Sequence, residues 1–174
     1  GCESGGDPKN IPDLTYENFL NFHRTYYHPS NSYIYLYGNM DMEEKLAFLD
    51  EHYLSHFDYL DVDSVIQEQK PFEKPIEVTH KYSISSTESE ENNTYLSYNM
   101  VVGNAADSQM AMAFEVLDYA LLSAPGAPLK QALLDVKAGK DVYGSYDDGI
   151  LQPYFTVIAK GSNPDRKEEF VSVI

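Results

Sequence analysis

Apolar and aromatic positions near the start of the chain recur as Tyr16, Phe19, Leu20, His23, Tyr26 and Tyr27. This i, i+3, i+4, i+7 spacing predicts one helical stripe. Thr15 is placed to start the helix. His28-Pro29 should stop it, because a residue before proline disfavours the α region. After a turn at Ser30-Asn31 the period changes to two, with Tyr33, Tyr35 and Tyr37 on one side and Ile34 and Leu36 on the other. Both faces are apolar or aromatic, which predicts an inner strand over 32–37, covered on both sides. Asp41 followed by Glu44 has capping-box spacing. A second helix is predicted from Met42 to about Phe57, with Leu46, Leu49, Tyr53 and Phe57 turned inward.

The pattern then lapses. "DYLDVDSVIQEQKPFEKP" has no clear period and is bounded by prolines, which marks a boundary between Asp63 and Pro71. This divides the chain into residues 1–66, a linker over 67–75 and a second region over 76–174. Runs at Ile76–Ser85 and Tyr95–Val102 read as strands of a hairpin joined by "STESEENN". Asp107 should cap a helix from Ser108 to Ser123, with Met110, Ala113, Phe114, Leu117 and Leu121 on its inner side. "SAPGAP" breaks it, and Pro128 opens another helix over about Leu129–Lys137. "DVYGSYD" and "ILQPYFTVIAK" are strand candidates separated by Asp148-Gly149, a hairpin signal. A final helix is expected behind a Ser162 or Asn163 cap, with Pro164 in its first turn. The class predicted is α+β, with antiparallel sheets backed by helices.

Composition narrows the function classes. The 174 residues are 43% hydrophobic and include 15 tyrosines and no tryptophan, enough for a sizeable core. No apolar run approaches a membrane span, which argues against a membrane role. The single cysteine, Cys2, excludes an internal disulfide and a cysteine-built zinc site. Net charge is −16, from 28 acidic and 12 basic residues spread along the chain. Nucleic-acid binding is disfavoured, since it needs clustered Lys and Arg. The acidic surface attracts cationic partners such as basic peptides, although solubility alone accounts for it. The chain opens on Gly1-Cys2-Glu3 and stops at Val173-Ile174 in what reads as an amphipathic helix, so it is expected to be a piece of a longer protein.

Histidine pairs are the candidate metal ligands. His23 and His28 lie five residues apart, His23 on the apolar stripe and His28 at a helix stop, where an imidazole can meet the last carbonyls. His52 and His56 have i, i+4 spacing in "HYLSH". No third ligand is evident for either pair, and no glutamate between His52 and His56 offers a general base. Packing is the preferred reading of all four.

Two longer stretches carry a resemblance. "SGGDPKNIPDLTYENFLNFHRTYYHPSNSYIYLYGNMD", and further on "GAPLKQALLD" with "GKDVYGSYDDGILQPYFTVIAK", resemble insulinase-type (pitrilysin) zinc metallopeptidases, especially their presequence-protease-like branch. The resemblance covers nearly the whole chain. It implies a zinc endopeptidase of four related α+β domains that close around a chamber for unfolded peptides. It also implies an H-x-x-E-H motif and a downstream glutamate holding zinc, with the motif's glutamate as general base. This chain has no H-x-x-E-H, and the resemblance puts the ligand glutamate before Gly1. The expectation is therefore zinc in the parent protein, none bound by this segment, and no catalytic or metal residue here. Residues 1–66 would end a first insulinase-type domain and 76–174 would begin a second.

The same resemblance, at "APGAPL" and "VYGS", implies a substrate-binding surface at Leu122, Ser123 and Ala124 and at Val142, Tyr143, Gly144 and Ser145. A strand edge supplies main-chain hydrogen bonds to any extended peptide, and Gly144 would admit a close backbone. An ordinary sheet edge fits those residues equally well. The implied partners are unfolded peptides, basic ones among them, and the remaining domains of the parent protein. The implied compartment is the bacterial cytoplasm, or the mitochondrial matrix in a eukaryote. A non-catalytic insulinase-type half, acting as scaffold or binding module, is the alternative function.

Overall fold

The structure is a computed structural model that describes residues 5–174; Cys2 lies outside them. The chain divides into two compact units, one ending at Gln67 and the other running Glu68–Ile174.

In the first unit, α1 spans Tyr16–Tyr26, and Thr15 Oγ1 accepts the Asn18 N–H at 3.1 Å, as the sequence pattern predicts. Helix α2 spans Met42–His52, and Asp41 Oδ1 accepts the Glu44 N–H at 3.1 Å. Helix α2 stops short of the predicted end, and Leu54–His56 forms a 3-10 turn instead. Leu46, Tyr53 and Phe57 are exposed rather than inward. The predicted inner strand is also corrected. Residues 32–37 join no sheet, and Tyr33, Tyr35 and Tyr37 are fully or nearly fully exposed. A period of two sets side-chain direction, but a strand exists only with ladder partners, and none lies beside this segment among the described residues. No described residue of this unit is buried.

The second unit holds the core. Strand β1 spans Thr94–Val101, α3 Ser108–Asp118, α4 Pro128–Asp135, β2 Asp141–Asp147, β3 Tyr154–Ser162 and α5 Lys167–Val173. The three strands form one antiparallel sheet in the order β1-β3-β2. Tyr98 pairs with Val157, and Gly144 pairs with Val157 from the other side. Alternate residues of each strand turn one face to the helices. Leu96, Val142, Phe155, Val157 and Ala159 on that face meet Leu122, Leu133, Ala138 and Phe170. The α+β class, with an antiparallel sheet backed by helices, holds.

Several details of this unit differ from the pattern. Residues 76–85 are not in a strand, so the predicted hairpin with β1 is absent. Tyr82 instead touches the start of β1 through its hydroxyl, which donates to the Asn93 carbonyl, and through its ring against Tyr95. Six residues join β2 to β3, so Asp148-Gly149 begins a longer loop rather than a two-residue turn. In α3, Met110, Ala113 and Leu117 are exposed, while Phe114 and Leu121 pack on the core. The helix continues as a π turn over Tyr119–Ser123, which rotates the stripe and delivers Leu122 to the interior. Asn163 precedes a 3-10 turn, but its side chain binds Asn92 instead of capping.

Candidate peptide-binding strand edge

The structure brings the two predicted segments together. Leu122 is buried, Ser123 is exposed, and the Ala124 N–H closes the π turn on the Tyr119 carbonyl at 2.7 Å. This turn lies beside β2. Val142 is buried, Gly144 half-buried and Ser145 exposed, with Tyr143 exposed on the sheet face away from the helices. Strand β2 pairs only with β3, so no strand covers its other edge among the described residues.

One hydrogen bond fixes which backbone groups that edge presents. The Val102 N–H donates to the Pro153 carbonyl at 2.8 Å, just beyond the β1–β3 ladder and in the same register. Bonded pairs alternate in an antiparallel ladder. Residues 155, 157 and 159 therefore bond to β1, and residues 154, 156, 158 and 160 bond to β2. Within β2 the inward groups belong to Asp141, Tyr143, Ser145 and Asp147. The N–H and C=O groups of Val142, Gly144 and Tyr146 point away from β3; Val142 is fully buried, so that side is covered there, while Gly144 and Tyr146 are half-buried. A second contact agrees with this phase: the Val142 N–H is accepted by the neighbouring Asp141 carboxylate at 2.8 Å, not by β3.

Gly144 is explained by the protein's own packing. A Cβ there would come within 3.0 Å of both the Thr156 carbonyl oxygen and Leu122 Cδ1, distances that real Cβ atoms essentially never show. The glycine lets β3 and the π turn close on β2.

Acidic groups surround the edge. Asp141 and Asp147 bound the strand, and Asp148 follows it. Burial, then the charges of Asp148, Glu115 and Asp107, push the Tyr146 hydroxyl above its ordinary pKa. The Tyr154 hydroxyl donates to Asp147 Oδ2 at 3.0 Å, and this bond and the carboxylate's charge raise the Tyr154 pKa. Asp118, the last residue of α3, has an unpartnered Oδ1, and desolvation raises its carboxyl pKa.

Tyr146 shares the outward alternation and lies outside the run named from sequence. The run Val142–Ser145 took contiguous residues, whereas an edge presents every second one. Parity was not readable before the ladder's phase was known.

His23, His28 and His52 serve as packing and capping groups. His23 is exposed and stacks on Tyr27 with ring centroids 4.7 Å apart. His28 does not meet the end of α1 as expected. Its Nδ1 accepts the Ser30 N–H at 3.2 Å, and its ring meets the edge of Phe57. The His52 ring lies against Phe48. No group of three or more His, Cys, Asp or Glu residues among the described ones could hold a metal ion, so the described residues do not fit zinc. No described helix is long and apolar enough to cross a membrane.

Comparison with known proteins gives this architecture a family. The chain is 48% identical over 171 residues to Protein HypA of Clostridium perfringens, covering 98% of this chain and 18% of that protein. It is 35% identical over 178 residues to presequence protease 1, chloroplastic/mitochondrial, of Arabidopsis thaliana, covering all of this chain and 16% of that one. It is 32% identical over 176 residues to the mitochondrial presequence protease of Xenopus laevis, covering 98% and 17%. The chain thus spans about one sixth of the length of the curated relatives it matches. A family model described as the peptidase M16 inactive domain matches residues 13–174, nearly the whole chain, and on that match the chain belongs to the peptidase M16 family.

Proposed function

We propose that this chain is the substrate-facing scaffold of a zinc-dependent endopeptidase that degrades unfolded peptides in a closed chamber. The observation that carries the reading is the edge of β2 that no described strand pairs with, where the N–H and C=O groups of Gly144 and Tyr146 are directed outward at half-buried positions. An extended peptide adds to such an edge through main-chain bonds, which serve any sequence. Leu122, Ser123 and Ala124 border the edge, and Tyr143 and Ser145 hold it to β3. The acidic flank favours basic peptides, and salt weakens that preference, because exposed charges are screened beyond about 8–10 Å. The zinc and its ligands belong to parts of the parent protein outside this chain. Residues 1–66 form the end of one M16 domain, 67–75 a linker and 76–174 the start of the next. The parent works in a bacterial cytoplasm or a mitochondrial matrix; in support, one relative comes from a bacterium and another is named as mitochondrial.

A second reading has an observation in its favour. The matching family model is described as an inactive domain, which suits a non-catalytic half that only binds or scaffolds.

Amide hydrogen exchange on the 174-residue chain tests the edge. Adding an extended basic peptide is expected to protect the amides of Gly144 and Tyr146, and not those of Tyr95, Ser97 and Asn99 on the outer edge of β1. Backbone N-methylation of the peptide at alternate positions should abolish the effect. Protection on β1 alone, or on neither edge, refutes the strand-edge role. Chelator-sensitive cleavage by this chain alone would refute the assignment of zinc to other parts of the parent.

A further inference from the structure

We infer that Asp148 is a site of spontaneous covalent modification: its side-chain carboxyl closes on the Gly149 backbone nitrogen, and the Asp147 carboxylate takes the proton that must leave. The inference stands apart from the strand-edge reading. Asp148-Gly149 is the one Asp-Gly step in the sequence, and Asn-Gly does not occur. Asp148, Gly149 and Ile150 are all exposed, and they open the six-residue connection from β2 to β3. The far end of that connection is tied down. The Ala105 N–H donates to the Leu151 carbonyl at 2.9 Å and the Val102 N–H to the Pro153 carbonyl at 2.8 Å. Gln152 Nε2 donates to the Gln69 carbonyl at 3.2 Å. The near end is held, among the described residues, by one bond, from the Gly149 N–H to Asp147 Oδ1 at 3.0 Å.

The chemistry needs nothing but water. The Gly149 nitrogen bonds to Asp148 Cγ, and the C–OH bond of the protonated carboxyl breaks. The hydroxyl departs as water with the proton from nitrogen, which leaves a five-membered imide. Water then adds to one of the two imide carbonyls. Addition at the side-chain carbonyl restores aspartate. Addition at the main-chain carbonyl gives isoaspartate, in which the backbone runs through Cβ and the former backbone carbonyl carbon becomes the free carboxylate. Tethering holds the two reacting groups one residue apart. Glycine leaves the nitrogen uncrowded, whereas a Cβ at 149 would stand 3.3 Å from Asp147 Oδ1. The amide proton is the hard part, and Asp147 Oδ1 already accepts it. The Tyr154 hydroxyl, donating to Asp147 Oδ2 at 3.0 Å, holds that carboxylate in place. Asp107, which precedes Ser108, lacks this freedom, because its Oδ1 accepts the N–H groups of Gln109 and Met110 at 3.1 and 3.0 Å. Isoaspartate at 148 lengthens the backbone by one atom where β2 ends and shifts one charge of its acidic flank.

The test holds the 174-residue chain and its D147N, D147E and G149A variants in warm, mildly acidic buffer and samples them over weeks. Peptide mass spectrometry with electron-transfer fragmentation locates isoaspartate, and an isoaspartate methyltransferase counts it. Asp63, exposed and followed by Ser64, is the internal comparison. Isoaspartate is expected about tenfold faster at Asp148 than at Asp63, since Gly149 has no side chain to crowd the nitrogen. G149A should lose about that factor. In D147N the side-chain oxygen still accepts the N–H but takes no proton. That variant should slow about tenfold, part of the ~10²–10⁴ that a positioned base supplies, and D147E should recover most of the loss. Isoaspartate at Asp148 no faster than at Asp63 overturns the site. Wild-type rates in D147N, or equal slowing in D147N and D147E, overturn the role given to Asp147.

Discussion

Gly144→Ala is the sharpest test of the packing around the edge. In a strand, alanine ordinarily has the advantage, since glycine costs about 0.5–1 kcal/mol more in lost conformational freedom. Here the added methyl would meet two atoms at once, the Thr156 carbonyl oxygen and Leu122 Cδ1. Leu122 could change rotamer at the expense of its place in the core. The carbonyl has no such freedom, because the ladder phase binds it to the Ser145 N–H. Forcing one methyl into a filled core costs about 1–3 kcal/mol, and a backbone obstacle places this site toward the upper end. At about 4 °C per kcal/mol for a domain near 100 residues, the melting temperature should fall by about 4–12 °C.

The assay is thermal unfolding followed by circular dichroism, with Gly5→Ala as control, since no atom lies within 4 Å of a Cβ there. Removing Leu122 relieves one of the two contacts. In a double-mutant cycle, Leu122→Ala should therefore cost about 0.5–1 kcal/mol less in the Gly144→Ala background than alone. A Gly144→Ala protein that melts within about 2 °C of wild type refutes the packing account. If that same protein had lost peptide protection of β2, the glycine would serve an incoming backbone after all.

Other changes give separate checks. Tyr143→Pro and Ser145→Pro remove N–H groups bonded to β3, so each should destabilise the sheet by about 3 kcal/mol or more, read by urea unfolding. His28→Ala removes the acceptor for the Ser30 N–H and should cost about 0.5–2 kcal/mol. His23→Ala, at an exposed ring, should cost less than about 1 kcal/mol in the same urea assay. Asp118 has its folded-state pKa raised by desolvation, so its charged form costs stability above that pKa and costs nothing below the ordinary carboxylate range. Asp118→Asn should therefore raise the melting temperature at pH 7, with the difference shrinking toward zero as pH falls to about 4.

What the sequence made legible follows from how far each signal reaches. Helix starts were local and came through: Thr15, Asp41 and Asp107 each accept a backbone N–H of the helix they begin. Strand runs β1 and β2 were visible as alternating segments. The same alternation at 32–37 and 76–85 did not make strands. Period two reports which way side chains point and says nothing of whether a neighbour supplies hydrogen bonds. The inner face of α3 was misread at Met110, Ala113 and Leu117, which are exposed, and correctly read at Phe114 and Leu121; beyond Tyr119 the π turn adds a residue and brings Leu122 inward beside Leu121.

The candidate site shows the same limit in a form that bears on function. The stretch "VYGS" lies in β2, and the "SAPGAP" break begins at the end of the turn beside it. Neither could say which residues face outward at the edge, because that depends on a partner strand more than ten residues away. Once the Val102–Pro153 bond sets the phase, the members of the run take opposite roles. Gly144 is joined at the edge by Tyr146, which lay outside it, while Tyr143 and Ser145 become the residues that hold the edge in place.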